Sequence, residues 1–208
     1  MKDIIVAGGI YSKDGDGTKN HGSLDFWIVK LGSGGNMVWK NSWGSDLDIP
    51  NSVAVTPNGR CVVVGWTRSN DGDVIENHGM VDAWMVKLDK DGNVIWQKTP
   101  EGSDEDYASF MIATPDGGYI VAGDTRSNDE DVSKNHTSTG LWADAWIVKL
   151  DKDGNIVWEK TYGGSDDDGA SVIIAAPSSG YIVVGWTESN DGDVSKKSWQ
   201  DRRLDIKA

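Results

Sequence analysis

At 208 residues the chain is long enough to bury a hydrophobic core in one mid-sized domain. Its 33 acidic against 20 basic residues give a formal net charge of −13, which works against binding a nucleic-acid backbone, because that needs clustered Lys and Arg. The single cysteine, Cys61, rules out an intramolecular disulfide, and no apolar run approaches the ~20 residues of a membrane-spanning helix.

Taken from the start, Met1-Lys2-Asp3-Ile4-Ile5-Val6 opens inside a strand-like pattern and carries no apolar leader with a cleavage site. A trimmed signal or a fragment is the expectation. Val6-Ala7-Gly8 then recurs as Val63-Val64-Gly65, Val121-Ala122-Gly123 and Val183-Val184-Gly185, with glycine spacings of 57, 58 and 62 residues. Phe26-Trp27-Ile28-Val29-Lys30-Leu31 returns at 83–88 and 145–150, and Asn36-Met37-Val38-Trp39 at 93–96 and 155–158. Three blocks keeping one period define a tandem repeat of about sixty residues.

Each unit reads as four short strands, in the best-formed case 109–114, 119–123, 145–150 and 156–160, rich in Val, Ile, Trp and Tyr. Pro115-Asp116-Gly117-Gly118 turns the first strand into the second, and Asp151-Lys152-Asp153-Gly154-Asn155 turns the third into the fourth. No helical period is sustained anywhere. Repeated four-stranded meanders predict an all-β fold, a β-propeller of antiparallel blades, with near-continuous apolar strands such as 61–65 buried on both faces. The blade units are 1–44, 45–102, 103–164 and 165–208, about three and a half blades in a single repeat domain. The last holds strands at 171–175 and 181–186 and a weak one at 204–207. A long loop joins second strand to third, 67–81 in the second unit.

Gly163-Gly164-Ser165-Asp166-Asp167-Asp168-Gly169, followed by Gly180-Tyr181-Ile182-Val183-Val184-Gly185-Trp186-Thr187, resembles a bacterial β-propeller repeat family, the SBBP-like repeats of secreted and cell-surface proteins. Asp144-Ala145-Trp146-Ile147-Val148-Lys149-Leu150-Asp151 is similar in the same way. The resemblance covers nearly the whole chain. It implies the fold and an extracellular or cell-surface location, and it implies no activity. Looser likenesses to quinoprotein blades (Asp151, Gly154, Trp158) and to the sialidase Asp-box reduce to shared hairpin architecture.

The three histidines, His21, His78 and His136, each follow an asparagine at one repeat position. Positions repeated from blade to blade lie too far apart to share one zinc ion, so each histidine is expected to fix its own loop. The same loops carry Asp14 and Asp16, Asp71 and Asp73, Asp129 and Asp131, and Asp191 and Asp193, candidate oxygen ligands for calcium that Asx-turns alone also explain. A second acidic set, Ser45-Asp46-Leu47-Asp48, Ser103-Asp104-Glu105-Asp106 and Ser165-Asp166-Asp167-Asp168, is expected to bond backbone amides where one unit hands over to the next. Cys61 reads as a buried strand thiol, since no base stands beside it in the sequence.

Of the eleven tryptophans, Trp27, Trp84 and Trp146 and then Trp39, Trp96 and Trp158 are periodic and expected in the core. Trp66 and Trp186 follow the strand glycine where other units have Gly9 and Asp124, and Trp142 lies in an insertion of the third unit. Trp66, Asp124, Trp142 and Trp186 are therefore the candidate ligand-binding residues. No catalytic constellation emerges. The function expected is a non-enzymatic scaffold or binding module for a protein or ligand at a bacterial surface. The alternatives are a lectin-like carbohydrate binder, calcium-dependent or not, and a propeller glycosidase or lyase. Because a ring needs about 4–8 blades, a homodimer or strand-exchanged oligomer is expected to complete it.

Overall fold

The computed structural model describes residues 3–14, 20–56, 58–75, 77–78, 80–100, 102–129, 131–132, 135–137, 141–177, 180–194 and 206–207. These form an all-β protein of four separate antiparallel sheets. Sheet 1 contains β1 (Ile4–Ile10), β2 (Asp25–Leu31) and β3 (Met37–Trp43), and sheet 2 contains β4 (Asp48–Val55), β5 (Cys61–Thr67), β6 (Asp82–Leu88) and β7 (Val94–Lys98). Sheet 3 contains β8 (Asp106–Ala113), β9 (Tyr119–Thr125), β10 (Asp144–Leu150) and β11 (Ile156–Tyr162). Sheet 4 contains β12 (Asp168–Ala175), β13 (Tyr181–Thr187) and β14 (Ile206–Lys207). Every sheet is a meander with neighbours in sequence order, and no sheet is closed or curled on itself. Among the described residues no helix is long and apolar enough to cross a membrane.

Local chemistry accounts for the turns. In the β6–β7 hairpin Asp89 Oδ1 accepts the amides of Asp91 and Asn93, and Gly92 takes φ +88°. Asp151, Asp153, Asn155 and Gly154 (φ +85°) repeat the arrangement between β10 and β11. Positive φ costs a non-glycine residue energy, so these hairpins are specified by their sequence.

The repeat's hallmark glycine has a different cause. Gly65, Gly123 and Gly185 have ordinary φ, but each faces a β-bulge in the first strand, between Pro50 and Ser52, Ala108 and Phe110, and Ala170 and Val172. A Cβ at these glycines would lie 1.9, 1.8 and 1.9 Å from the carbonyl oxygens of Ile49, Tyr107 and Gly169. Gly8, in the sheet that shows no such first strand among the described residues, has nothing within 4 Å of its Cβ position. The glycine is there to let the bulged strand in.

The sheets stack in chain order through three apolar clusters. Phe26 and Ile28 of sheet 1 meet Cys61, Val63, Trp84 and Val86 of sheet 2, with the Phe26 and Trp84 rings edge-to-face at 4.7 Å. Val62, Val64, Ala83 and Met85 of sheet 2 meet Tyr119, Val121, Trp146 and Val148 of sheet 3. Ile120, Ala122 and Ile147 of sheet 3 meet Ala170, Ile173 and Val183 of sheet 4. Thus β6 and β10 are buried along their whole length.

Three expectations need correction. The first strands begin three residues earlier than read, at Asp106 rather than 109 and Asp168 rather than 171; each opening aspartate is fully buried and hydrogen-bonded instead of lying in a turn. Trp39 and Trp96 are only half-buried, because they lie over the hairpin glycines Gly92 and Gly154 of the following unit. Trp27 and Trp158 are half-buried too, whereas Trp84 and Trp146 are core residues and Cys61 is a fully buried thiol that burial pushes up to about 11.

Gly123→Ala should lower the unfolding free energy by about 3 kcal/mol, the upper range for overpacking, while Gly8→Ala should cost less than about 1 kcal/mol. Chemical denaturation of the two variants beside the wild type measures the difference.

Candidate functional site

A buried polar frame organises one end of the sheets. Asp48 pairs across to Thr67 and Thr67 to Asp82, and the triplet recurs as Asp106, Thr125 and Asp144. All six residues are fully buried. The Asp48 carboxylate accepts the hydroxyls of Thr67 and Ser69, and Asp106 those of Thr125 and Ser127. In the last unit Asp168 accepts the Ser189 hydroxyl at 2.7 Å and the Gly164 amide at 2.8 Å. Such partners are what allow a carboxylate to be buried. Burial still dominates, pushing Asp106 up to about 7 against the pull of Thr125 and Ser127 and with the push of Asp82. Asp48 and Asp144 are raised for the same first reason.

The histidine loops hang from this frame. The amides of His21, His78 and His136 donate to Asp25, Asp82 and Asp144 at 2.8, 2.5 and 2.9 Å. Asn77 and Asn135 donate to the carbonyls of Thr67 and Thr125, and Asn20 to that of Ile10. The aspartate pairs divide the same way. Asp71 accepts the Ser45 hydroxyl, Asp129 the Ser103 amide at 3.0 Å, and Asp191 the Ser165 amide at 2.8 Å. In these three pairs the first carboxylate therefore clamps the hand-over from the preceding unit. Asp193 stands 3.5 Å from His136 Nε2, Asp73 contributes its backbone carbonyl to Gln97, and Asp16 lies outside the described residues. Among the described residues no three acidic, histidine or cysteine side chains converge in a way that could hold a metal ion.

Around the frame, four repeat positions vary: two differ in all three units, and two differ in one unit only. Register aligns Leu47, Ile49, Trp66 and Arg68 with Glu105, Tyr107, Asp124 and Arg126, and with Asp167, Gly169, Trp186 and Glu188. Each set is built alike: the last residue's amide donates to the first residue's carbonyl at 3.0, 2.9 and 2.7 Å. The frame residues Asp, Thr and Ser between them do not change.

Three of the four sequence candidates fall at this rim. The Trp66 ring meets Tyr107 edge-to-face at 5.7 Å. Tyr107 faces Asp124 across the strands, and Glu105 pairs with Arg126 and accepts from the Tyr107 hydroxyl at 3.4 Å. Burial pushes Asp124 up to about 7, with Arg126 pulling it down and Asp167 and Glu105 pushing it further. Asp167 ties in the rest: its carboxylate accepts the Ala143 amide, next to Trp142, and it is the second neighbour of Gly169, over which Trp186 lies. Trp142 and Trp186 are 43 % and 40 % exposed. Tyr107 and Arg126 were not singled out in the sequence, and Glu105 and Asp167 were read only as members of the acidic set that bonds backbone amides at the hand-over, as Asp167 does. The signal was there for Glu105, Tyr107 and Asp167, which differ from their counterparts in the other units, but it needed the strand register to align; Arg126 matches Arg68 and gave none.

No family model matches the chain, and no curated protein is significantly similar to it.

Carboxyls held above their unfolded value of 3.8 stabilise the fold fully below that value and lose this contribution as pH rises through the folded value. For Asp106 and Asp124 that loss spans the interval from 3.8 to about 7. The melting temperature should therefore fall between pH 5 and pH 8, and Asp124→Asn should fall less steeply; thermal melts at intermediate pH values measure both slopes.

Proposed function

We propose that the chain is a non-enzymatic recognition module for a protein or small ligand at a bacterial surface, its four sheets being blades of a β-propeller. The observation that carries the recognition role is the changing rim on an unchanging frame. The units differ elsewhere too, but at the rim the differences stand directly on the invariant Asp, Thr and Ser, at one end of the sheets, with side chains suited to contact. Two half-exposed indoles beside carboxylates and an arginine supply apolar area together with directional polar groups.

The blade reading is supported by how the sheets approach one another. The first strands lie against each other, β4 with β8 and β8 with β12, and no comparably close approach joins β3, β7 and β11. Sheets that converge at their first strands and diverge at their last fan about an axis. The rim then lies near that axis, where residues from several units face a common ligand.

Trp142 and Trp186 favour carbohydrate as the ligand, since an exposed indole stacks on the apolar face of a sugar ring while Asp124 and Asp167 accept from its hydroxyls. Calcium dependence lacks comparable support, because Asp71, Asp129 and Asp191 already spend an oxygen on the unit hand-over.

A glycan and peptide array probed with the wild type, Trp142→Ala, Trp186→Ala and Asp124→Asn tests this. Binding that falls tenfold or more in the variants, with or without chelator, is the expected result. Wild-type binding in all three variants refutes the rim as the site, and turnover of a bound glycan would reassign the protein to the hydrolases.

A further inference from the structure

Among the described residues, all three apolar sheet-to-sheet clusters join the same two faces. One face, here the leading face, carries Val63 and Trp84 in sheet 2, Val121 and Trp146 in sheet 3, and Val183 in sheet 4. The other, the trailing face, carries Ile5, Ala7 and Ile28 in sheet 1, Val62, Val64 and Met85 in sheet 2, and Ile120, Ala122 and Ile147 in sheet 3. Leading meets trailing three times.

Among the described residues one face of each kind has no sheet against it. The strand registers place Ile4 and Val6 of sheet 1 at the positions of Tyr119 and Val121 of sheet 3, so they belong to a leading face. Val172, Ile174 and Val184 of sheet 4 stand at the positions of Phe110, Ile112 and Ala122, on a trailing face. In sheet 3 that trailing face is covered, with Ala122 fully buried. In sheet 4 and sheet 1 these five side chains are 37–52 % exposed. Contiguous exposed branched aliphatics on a sheet face are costly in water and mark an interaction surface.

We infer that the trailing face of sheet 4 takes the leading face of sheet 1 from a second copy of this chain. The occupant follows from the three internal contacts: sheet 1 presents the shape and apolar character that sheets 2, 3 and 4 already present to their predecessors. The interface is heterologous, since the two patches differ, so a pair of copies closes by making the contact twice. Two copies bring eight sheets together, within the roughly 4–8 that a closed ring of such sheets takes. Closure rests on the blade reading above; the face-to-face contact does not.

Light scattering over a dilution series tests the inference on the wild type, Val6→Asp (leading face) and Val184→Asp (trailing face), with far-ultraviolet circular dichroism as the check on folding. The wild type should have about twice the 22.5 kDa chain mass, and each variant alone should be monomeric. Mixing the two variants should restore a dimer, because the mixture holds one intact leading and one intact trailing face, and this recovery also shows that both variants fold. A monomeric wild type at every concentration overturns the inference. So does a Val6→Asp or Val184→Asp protein that stays dimeric alone, which would place a patch against its own copy. A wild-type mass that keeps growing with concentration upholds the contact and removes the ring, and with it the axial placement of the rim.

Discussion

The structure depends on a carboxylate buried at the first residue of each first strand. Asp48, Asp106 and Asp168 do two things at once. Asp48 and Asp106 accept hydroxyls from the second strand and the loop beyond it, and Asp168 accepts the loop hydroxyl of Ser189. Their amides donate to the carbonyls of Leu24, Val81 and Ala143, which precede the third strand of the previous unit, at 2.7–2.8 Å. One residue thus fixes strand to strand within a unit and unit to unit along the chain. Leaving a buried polar group without its hydrogen-bond partner costs about 1–3 kcal/mol, so this corner tolerates little variation. The serines close it further: Ser69 accepts the amides of Ser45 and Asp46, and Ser127 and Ser189 accept those of Asp104 and Asp166. That network explains why the repeat is long. The loop after the second strand must return from the sheet end to supply the amide at His21, His78 or His136 that caps the next buried aspartate.

Much of the fold was legible. The repeat, its four strands per unit and the Asp-Gly hairpins follow from Val, Ile and Trp runs and from residues that tolerate positive φ. The strand starts were not. Asp106 and Asp168 carry the residue type that most often signals a turn, and only their hydroxyl partners, 19 to 21 residues away in sequence, make them strand residues. The tryptophans show the same limit. Periodicity cannot separate Trp146, sealed between two sheets, from Trp96, whose ring lies on Gly154 of the next unit; both recur once per unit.

The site was legible in part, and for a reason rooted in register. Comparing units on the strand glycine exposes Gly9, Trp66, Asp124 and Trp186, because they adjoin an anchor visible in the sequence. Leu47, Glu105 and Asp167 sit before a bulge, where two residues of one strand oppose a single partner. Counting pairs from the hairpin turn therefore gives their neighbour incorrectly by one. Only the paired backbone shows that Glu105 sits beside Arg126 and that Asp167 occupies the same position one unit on.

A second link holds the units at their other end. Lys30, Lys87 and Lys149 share one repeat position, and all three are shielded from water in an otherwise acidic protein. Lys30 donates to the carbonyl of Lys90 at 3.1 Å and Lys87 to that of Lys152 at 2.6 Å, each in the hairpin of the next unit. Lys149, with no next hairpin among the described residues, turns back onto Thr114, Asp116 and Leu150. Sheets 1 and 2, and sheets 2 and 3, are therefore held at both ends, by an aspartate amide near the rim and a lysine ammonium at the hairpins, with the apolar faces between, while sheets 3 and 4 share the aspartate link. Two fixed points leave a sheet little freedom to rotate on its neighbour. Trp66 and Asp124, on two sheets so held, accordingly keep a constant spacing, whereas Trp186 stands on a sheet that the aspartate link and the apolar face hold to its neighbour.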